Sequence, residues 1–132
     1  MATDEIHILP TNTTPEIFLS VKGTIRIKGR AIDESRSKVP DQITEWLDSY
    51  IVNPADVTRV TIALEFLNSF NTIILTSTLK KISQVLQKGK QLQIKWYYDE
   101  DDLDIFERGE YISATINVPI EFIVTNNITG CI

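Results

Sequence analysis

Histidine and cysteine each occur once in this 132-residue chain, and glycine occurs only five times. A single Cys131, beside the last residue, excludes an intrachain disulfide and any cysteine-based zinc cluster, and it suits a reducing compartment. His7 lies in an N-terminal stretch with no evident element, so a Ser-His-Asp arrangement would require that stretch to fold back over the domain. Gly23, Gly29, Gly89, Gly109 and Gly130 are isolated, which leaves no glycine-rich loop to cradle a phosphate. The 13 Lys and Arg are scattered among 18 Asp and Glu, giving a net charge of −5 and no basic footprint for a nucleic-acid backbone. No apolar run approaches the ~20 residues that span a bilayer. The start Met1-Ala2-Thr3-Asp4-Glu5 is acidic, unlike the basic leader of a secretory signal. These absences point to a soluble, cytoplasmic protein with no conventional catalytic set, no cofactor, and no nucleic-acid or membrane partner.

What is present is apolar mass and alternation. With 42% hydrophobic residues, the chain can form one domain with a real core over 1–132, leaving 1–13 and 126–132 as expected flexible ends. Ile17 to Val21 and Thr24 to Lys28 read as a hairpin through Lys22-Gly23. Pro40 suits the first turn of a helix with Ile43, Trp46, Leu47, Tyr50 and Ile51 on one face, which Asn53-Pro54 ends. Val57 to Leu67 reads as a buried strand. Leu75, Leu79, Ile82 and Leu86 mark the stripe of a second helix, and Lys88-Gly89-Lys90 supplies its stop. Gln91 to Tyr98 returns as a strand with Leu92, Ile94 and Trp96 on one side. Leu103 to about Ser113 reads as a third helix, and Pro119 to Val124 as a last strand. The order β-β-α-β-α-β-α-β implies an α/β fold with a mixed, mostly parallel sheet built by right-handed crossovers.

Two places carry candidate chemistry. Asn68 or Ser69 is a natural N-cap where the strand hands over to the second helix, and a hydroxyl there lies at the positive end of the helix dipole. A phosphoryl group, adding about −1.5 to −2 charges, is tolerated electrostatically at such a place and would change any binding face built on it. The plain alternative is that these residues only cap the helix. The second place is the acidic run Asp99, Glu100, Asp101, Asp102 and Asp104. It can favour a helix start, meet a basic partner, or hold a hard cation, although it lacks the spacing and central glycine of an EF-hand loop. Both turns leave the C-terminal ends of strands, so they should open on one edge of the sheet.

The segment Leu64-Glu65-Phe66-Leu67-Asn68-Ser69 resembles the strand-to-helix motif of the SiaC-type regulatory phosphoproteins, Leu-x-Tyr/Phe-Phe/Leu-Asn-Thr/Ser. Trp96-Tyr97-Tyr98-Asp99-Glu100-Asp101-Asp102-Leu103-Asp104 is similar to that family's second signature, an aromatic strand end running into acidic residues and a helix. Thr14-Pro15, Gly29 to Glu34 and Glu45-Trp46-Leu47 add weaker matches, so the resemblance covers roughly Thr14 to Phe122. It implies a single STAS-like domain like that of anti-sigma-factor antagonists, without catalytic activity. Phosphorylation would fall on Ser69, the hydroxyl residue after the motif's Asn, with Thr72 as the alternative acceptor. The resemblance also implies a dedicated Ser/Thr kinase, a PP2C-like phosphatase, and a diguanylate cyclase bound and activated by the unphosphorylated form in c-di-GMP signalling. Two features depart from the family. A Lys usual in the first helical turn is replaced by the run Phe70, Asn71, Thr72, Ile73, and Asp33 stands where Pro is frequent.

The expected docking surface combines Asn68, Phe70 and Asn71 with Asp99, Glu100, Asp101 and Asp102. Besides a purely structural interaction domain in which Ser69 is never modified and only caps its helix, two rival readings remain at this point. One is an anti-sigma-factor antagonist that binds an anti-sigma kinase through the same edge. The other is a metal-dependent enzyme using Asp99, Asp101 and Asp102.

Overall fold

The computed structural model describes residues 4–35 and 38–132. Its strands are β1 (Ile6–Ile8), β2 (Glu16–Leu19), β3 (Thr24–Ala31), β4 (Val57–Leu67), β5 (Gln91–Asp99) and β6 (Glu121–Thr125). Its helices are α1 (Val39–Val52), α2 (Ser69–Ile82), continued by a 3-10 turn over Ser83–Lys88, and α3 (Leu103–Ile116). The strands lie side by side in chain order in one six-stranded sheet. β1, β2 and β3 pair antiparallel, and β3 to β6 pair parallel. Parallel neighbours joined by helices, each with the usual right-handed crossover, place all three helices on one face. There α1 packs on α2 and α2 on α3. The α/β class, the three helices, the mixed sheet and the N-terminal hairpin therefore stand as the sequence implies.

The core lies between that helical layer and the inward positions of the strands, among them Ile25, Ile27, Val60, Ile62, Ile94 and Trp96. Alternation sends Arg26, Lys28, Arg59 and Lys95 to the opposite face, as expected for a sheet covered on one side. Gly23 makes the hairpin turn at φ +99°, and a side chain there would run into the Val57 carbonyl.

Four local details differ from the pattern-based expectation. First, β1 occupies part of the stretch left without an element. Ile6 and Ile8 alternate about His7, a pattern too short to announce a strand, and pairing with Leu19 and Ile17 supplies the partner it needs. Second, the C-terminal stretch returns to the sheet, where Lys28 Nζ donates to the Ile132 carbonyl at 2.8 Å. Third, Leu86 is exposed and Val85 is buried in its stead, because the tighter 3-10 winding after Ile82 rotates the stripe. Fourth, the β3–β4 register slips between Gly29 and Arg30, so that Glu65 is the extra residue of β4. Strict alternation would bury Phe66 after Leu64. Across the bulge Leu67 is buried, and Phe66 faces out beneath the Arg30 guanidinium, 5.3 Å from the ring centroid.

His7 lies on β1, opposite Phe18 of β2. Its Nε2 lies 2.7 Å from Glu16 Oε2 on the neighbouring strand. That hydrogen bond, aided by the charges of Arg26 and Lys28 and opposed by partial burial, holds the Glu16 carboxyl below its ordinary 4.5. The folded-state pKa is thus the lower one, so the pair stabilises the fold above pH 4.5 and the contribution is lost as pH falls through the depressed value. With His7 half exposed, the effect is at most ~1 kcal/mol. Urea melts at pH 7 should show Glu16→Gln slightly less stable than wild type, and the gap should close as the pH falls below 4.5 through the depressed pKa.

Candidate functional site

The β4–α2 junction is held by two asparagines. Asn68 is extended, with φ −88° and ψ 176°, and its Oδ1 accepts from Asn71 N at 3.0 Å, the ordinary N-cap bond. Its Nδ2 donates to the Ile32 carbonyl at 3.1 Å and to Glu34 at 3.3 Å. Asn71 Nδ2 donates to the Asp33 carbonyl at 3.0 Å. Asn68 and Asn71, expected as partner-binding residues, are therefore committed to capping α2 and to pinning the β3–α1 loop against it. The Asp33 carboxylate in that loop accepts from Ser35 N at 2.8 Å, which holds its pKa below the ordinary 3.8. Asn68→Ala removes the cap and two loop bonds together and should cost about 1–2 kcal/mol in chemical denaturation, with faster hydrogen exchange at Asp33 to Ser35.

Ser69 opens α2 and is exposed. Thr72, one turn on, is only 6% exposed, and its hydroxyl is engaged twice. Its Oγ1 donates to the Asn68 carbonyl at 2.7 Å and accepts from Arg108 Nη1 at 3.1 Å. Arg108 belongs to α3. Ser69, Thr72 and Ile73 from α2 face Asp104, Glu107, Arg108 and Tyr111 from α3 across an open groove. Two of its lining residues are apolar and exposed, Ile73 at 71% and Tyr111 at 61%, and Phe70, next to Ser69 in the chain, is 41% exposed.

The acidic turn is placed differently from expectation. Asp99 Oδ1 accepts from Asp101 N at 2.9 Å, and Asp102 caps α3 by accepting from Ile105 N at 3.1 Å. These two carboxylates shape the turn, while Glu100 and Asp101 point to solvent. Of the acidic run, only Asp104 lines the groove with Ser69. Among the described residues no three His, Cys, Asp or Glu side chains are placed to hold a metal ion. The rival of a metal-dependent enzyme at Asp99, Asp101 and Asp102 thus has no geometric support. Arg108, Glu107 and Tyr111 escaped the sequence reading. The signal that could have found them is the spacing Asp104-Arg108-Tyr111, which puts them on one face of α3, together with the adjacency of α2 and α3 that sequential strand order imposes.

This junction, an exposed hydroxyl behind a capping asparagine and facing a third helix, lies within a region that matches a known family. Residues 8–125 match the model of the SiaC family regulatory phosphoprotein. The chain belongs to the SiaC family. A protein of Pseudomonas aeruginosa strain UCBPP-PA14, described as uncharacterized, is 20% identical over 116 residues, covering 87% of this chain and 92% of its own. Among solved structures, SiaC of P. aeruginosa bound as activator to the diguanylate cyclase SiaD superposes with a TM-score of 0.81 at 19% identity, covering 91% of this chain and 99% of that one. The apo form of P. aeruginosa SiaC gives 0.78 at 19% identity, covering 91% and 98%. At such identities the superpositions establish the fold. Among the described residues, no helix of this family member is long and apolar enough to cross a membrane.

Proposed function

We propose that this SiaC-family protein is a non-catalytic cytoplasmic regulator whose unmodified form binds and activates a diguanylate cyclase through the sheet edge around Ser69. Phosphorylation of Ser69 then breaks that contact. The observation that carries this reading is the placement of an exposed helix-start hydroxyl in one groove with the exposed side chains of Ile73 and Tyr111. A modifiable group beside exposed apolar side chains is what a charge-operated docking surface requires. The family's character as regulatory phosphoproteins, and the complex of the P. aeruginosa neighbour with a cyclase, give the reading its partner class.

Thr72 is the poorer acceptor, since a kinase would have to expose a hydroxyl that is buried and bonded on both sides. In the kinase step the γ-phosphoryl of a nucleoside triphosphate moves to Ser69 Oγ. The γ-phosphorus–oxygen bond breaks, and the serine proton leaves. In the PP2C-like phosphatase step water cleaves the new bond, restoring the hydroxyl and releasing inorganic phosphate.

The reading is tested by intact-mass and peptide mass spectrometry of the protein from its own cells, with and without phosphatase, followed by pull-downs with both forms. A phosphopeptide at Ser69, with a cyclase retained only by the unmodified form, is the expected result. Protein unmodified under all growth conditions, or capture of an anti-sigma kinase in place of a cyclase, overturns it.

A further inference from the structure

Among the described residues the α2–α3 groove holds one cation and two carboxylates, and the cation has no ion-pair partner. Arg108 makes no ion pair among the described residues, although Asp104 and Glu107 line the same groove. Its one hydrogen bond there goes to a neutral acceptor, Thr72 Oγ1, at 3.1 Å. Thr72 is three residues beyond Ser69 on α2, a spacing that brings side chains to within about 5–6 Å at Cβ on one helix face. The guanidinium is thus parked one residue away from the hydroxyl that opens the helix.

We infer that Arg108 is the positioning residue that receives a phosphoryl group on Ser69, an inference that rests on the reading of Ser69 as the modified hydroxyl. The guanidinium leaves Thr72 and takes two phosphoryl oxygens with its planar fork, exchanging one neutral contact for a bidentate, charge-assisted pair. Thr72 keeps its bond to the Asn68 carbonyl, so its hydroxyl is not orphaned. Asp104 and Glu107 oppose the added charge, and among the described residues Arg108 is the one cation lining the groove to hold the phosphoryl group. The modified state is then an ordered one. The start of α2 is tied to α3 across the groove, and the phosphoryl group is turned in beside Ile73 and Tyr111.

The test uses the full chain with phosphoserine placed at position 69 by genetically encoded incorporation, independent of any native kinase. Phosphorus NMR follows the second ionisation of that phosphate, which lies near 6 in an unperturbed phosphoserine. Asp104, Glu107 and Tyr111 are the other titratable groups facing it, and they are common to every variant. The wild-type phosphate should titrate at least about half a unit below that of Arg108→Gln, with Arg108→Lys between them because it keeps the charge and loses the fork. Coincident wild-type and Arg108→Gln curves overturn the inference. If Arg108→Gln does not fold, a wild-type curve coincident with Arg108→Lys, or no lower than that of a short phosphoserine peptide, overturns it equally. Failure of the regulatory reading looks different: the titration would still separate the variants, while the phosphorylated chain would bind the cyclase as the unmodified one does.

Discussion

Stoichiometric phosphorylation of Ser69 should weaken binding to the cyclase partner at least about a hundredfold, or some 2.7 kcal/mol at ~1.4 kcal/mol per tenfold. The surface that would be covered sets the exposed apolar side chains of Ile73 and Tyr111 beside the hydroxyl, with Asp104, Glu107 and Arg108 in the same groove. A partner that excludes water there meets about −1.5 to −2 charges and must desolvate them. Pairing with Arg108 does not rescue the contact. It neutralises one charge at most, leaves Asp104 and Glu107 facing the remainder, and replaces a flat hydroxyl with a bulky tetrahedral group. Ser69→Ala should bind within about threefold of wild type, because an exposed hydroxyl contributes little and Asn68 supplies the cap. Ser69→Asp should fall between, having less charge and a shorter reach. Calorimetric titration of the four forms against the cyclase makes the comparison. Equal affinities for phosphorylated and unmodified protein would refute the regulatory role of Ser69.

The architecture was legible because each element carried its own local grammar. Isoleucine and valine runs mark the parallel strands, Asn68 opens α2, and Gly89 closes the turn after it at φ +74°. Ser69 could be found for the same reason, since a cap is a local feature. The surroundings of Ser69 were not legible, because they depend on contacts distant in sequence. Arg108 reaches Thr72 across 36 residues, through the packing of α3 on α2. Phe66 reads as a core residue until the slip at Gly29/Arg30 turns it outward, and nothing in the β4 segment alone reveals a bulge that depends on its pairing with β3. Asn68, although legible as a cap, and Asn71 also read as part of a docking edge. Only the fold shows that the β3–α1 loop lies close enough to absorb both. The acidic run was divided in the same way, with Asp99 and Asp102 committed to backbone N–H groups and Asp104 left facing Ser69.

Gly109→Ala should destabilise the protein by about 1–3 kcal/mol, against the direction that helix propensity predicts. Gly109 sits inside α3, where alanine would ordinarily gain about 1 kcal/mol. Here a Cβ would stand 2.7 Å from Phe122 Cε1 and 2.8 and 2.9 Å from two carbons of the Trp96 indole. Neither ring can yield easily. Trp96 is fully buried, with its Nε1 donating to the Ile105 carbonyl at 3.2 Å, and Phe122 packs on Phe106 at a centroid distance of 5.0 Å. Relief therefore requires α3 to lift from β5 and β6, which loosens packing along the helix. Because Arg108 is the adjacent residue, the same lift should carry the guanidinium away from Thr72 and widen the groove that faces Ser69. Urea denaturation should show a lower midpoint with an unchanged slope, and cyclase affinity should fall although every groove residue is intact. Gly89→Ala serves as the comparison. A Cβ at Gly89 meets no atom within 4 Å, so its cost is confined to the left-handed backbone, about 1 kcal/mol. If Gly109→Ala proves as stable as wild type with affinity retained, then α3 is not held to the sheet by this close approach, and the geometry of the groove must be fixed by other contacts.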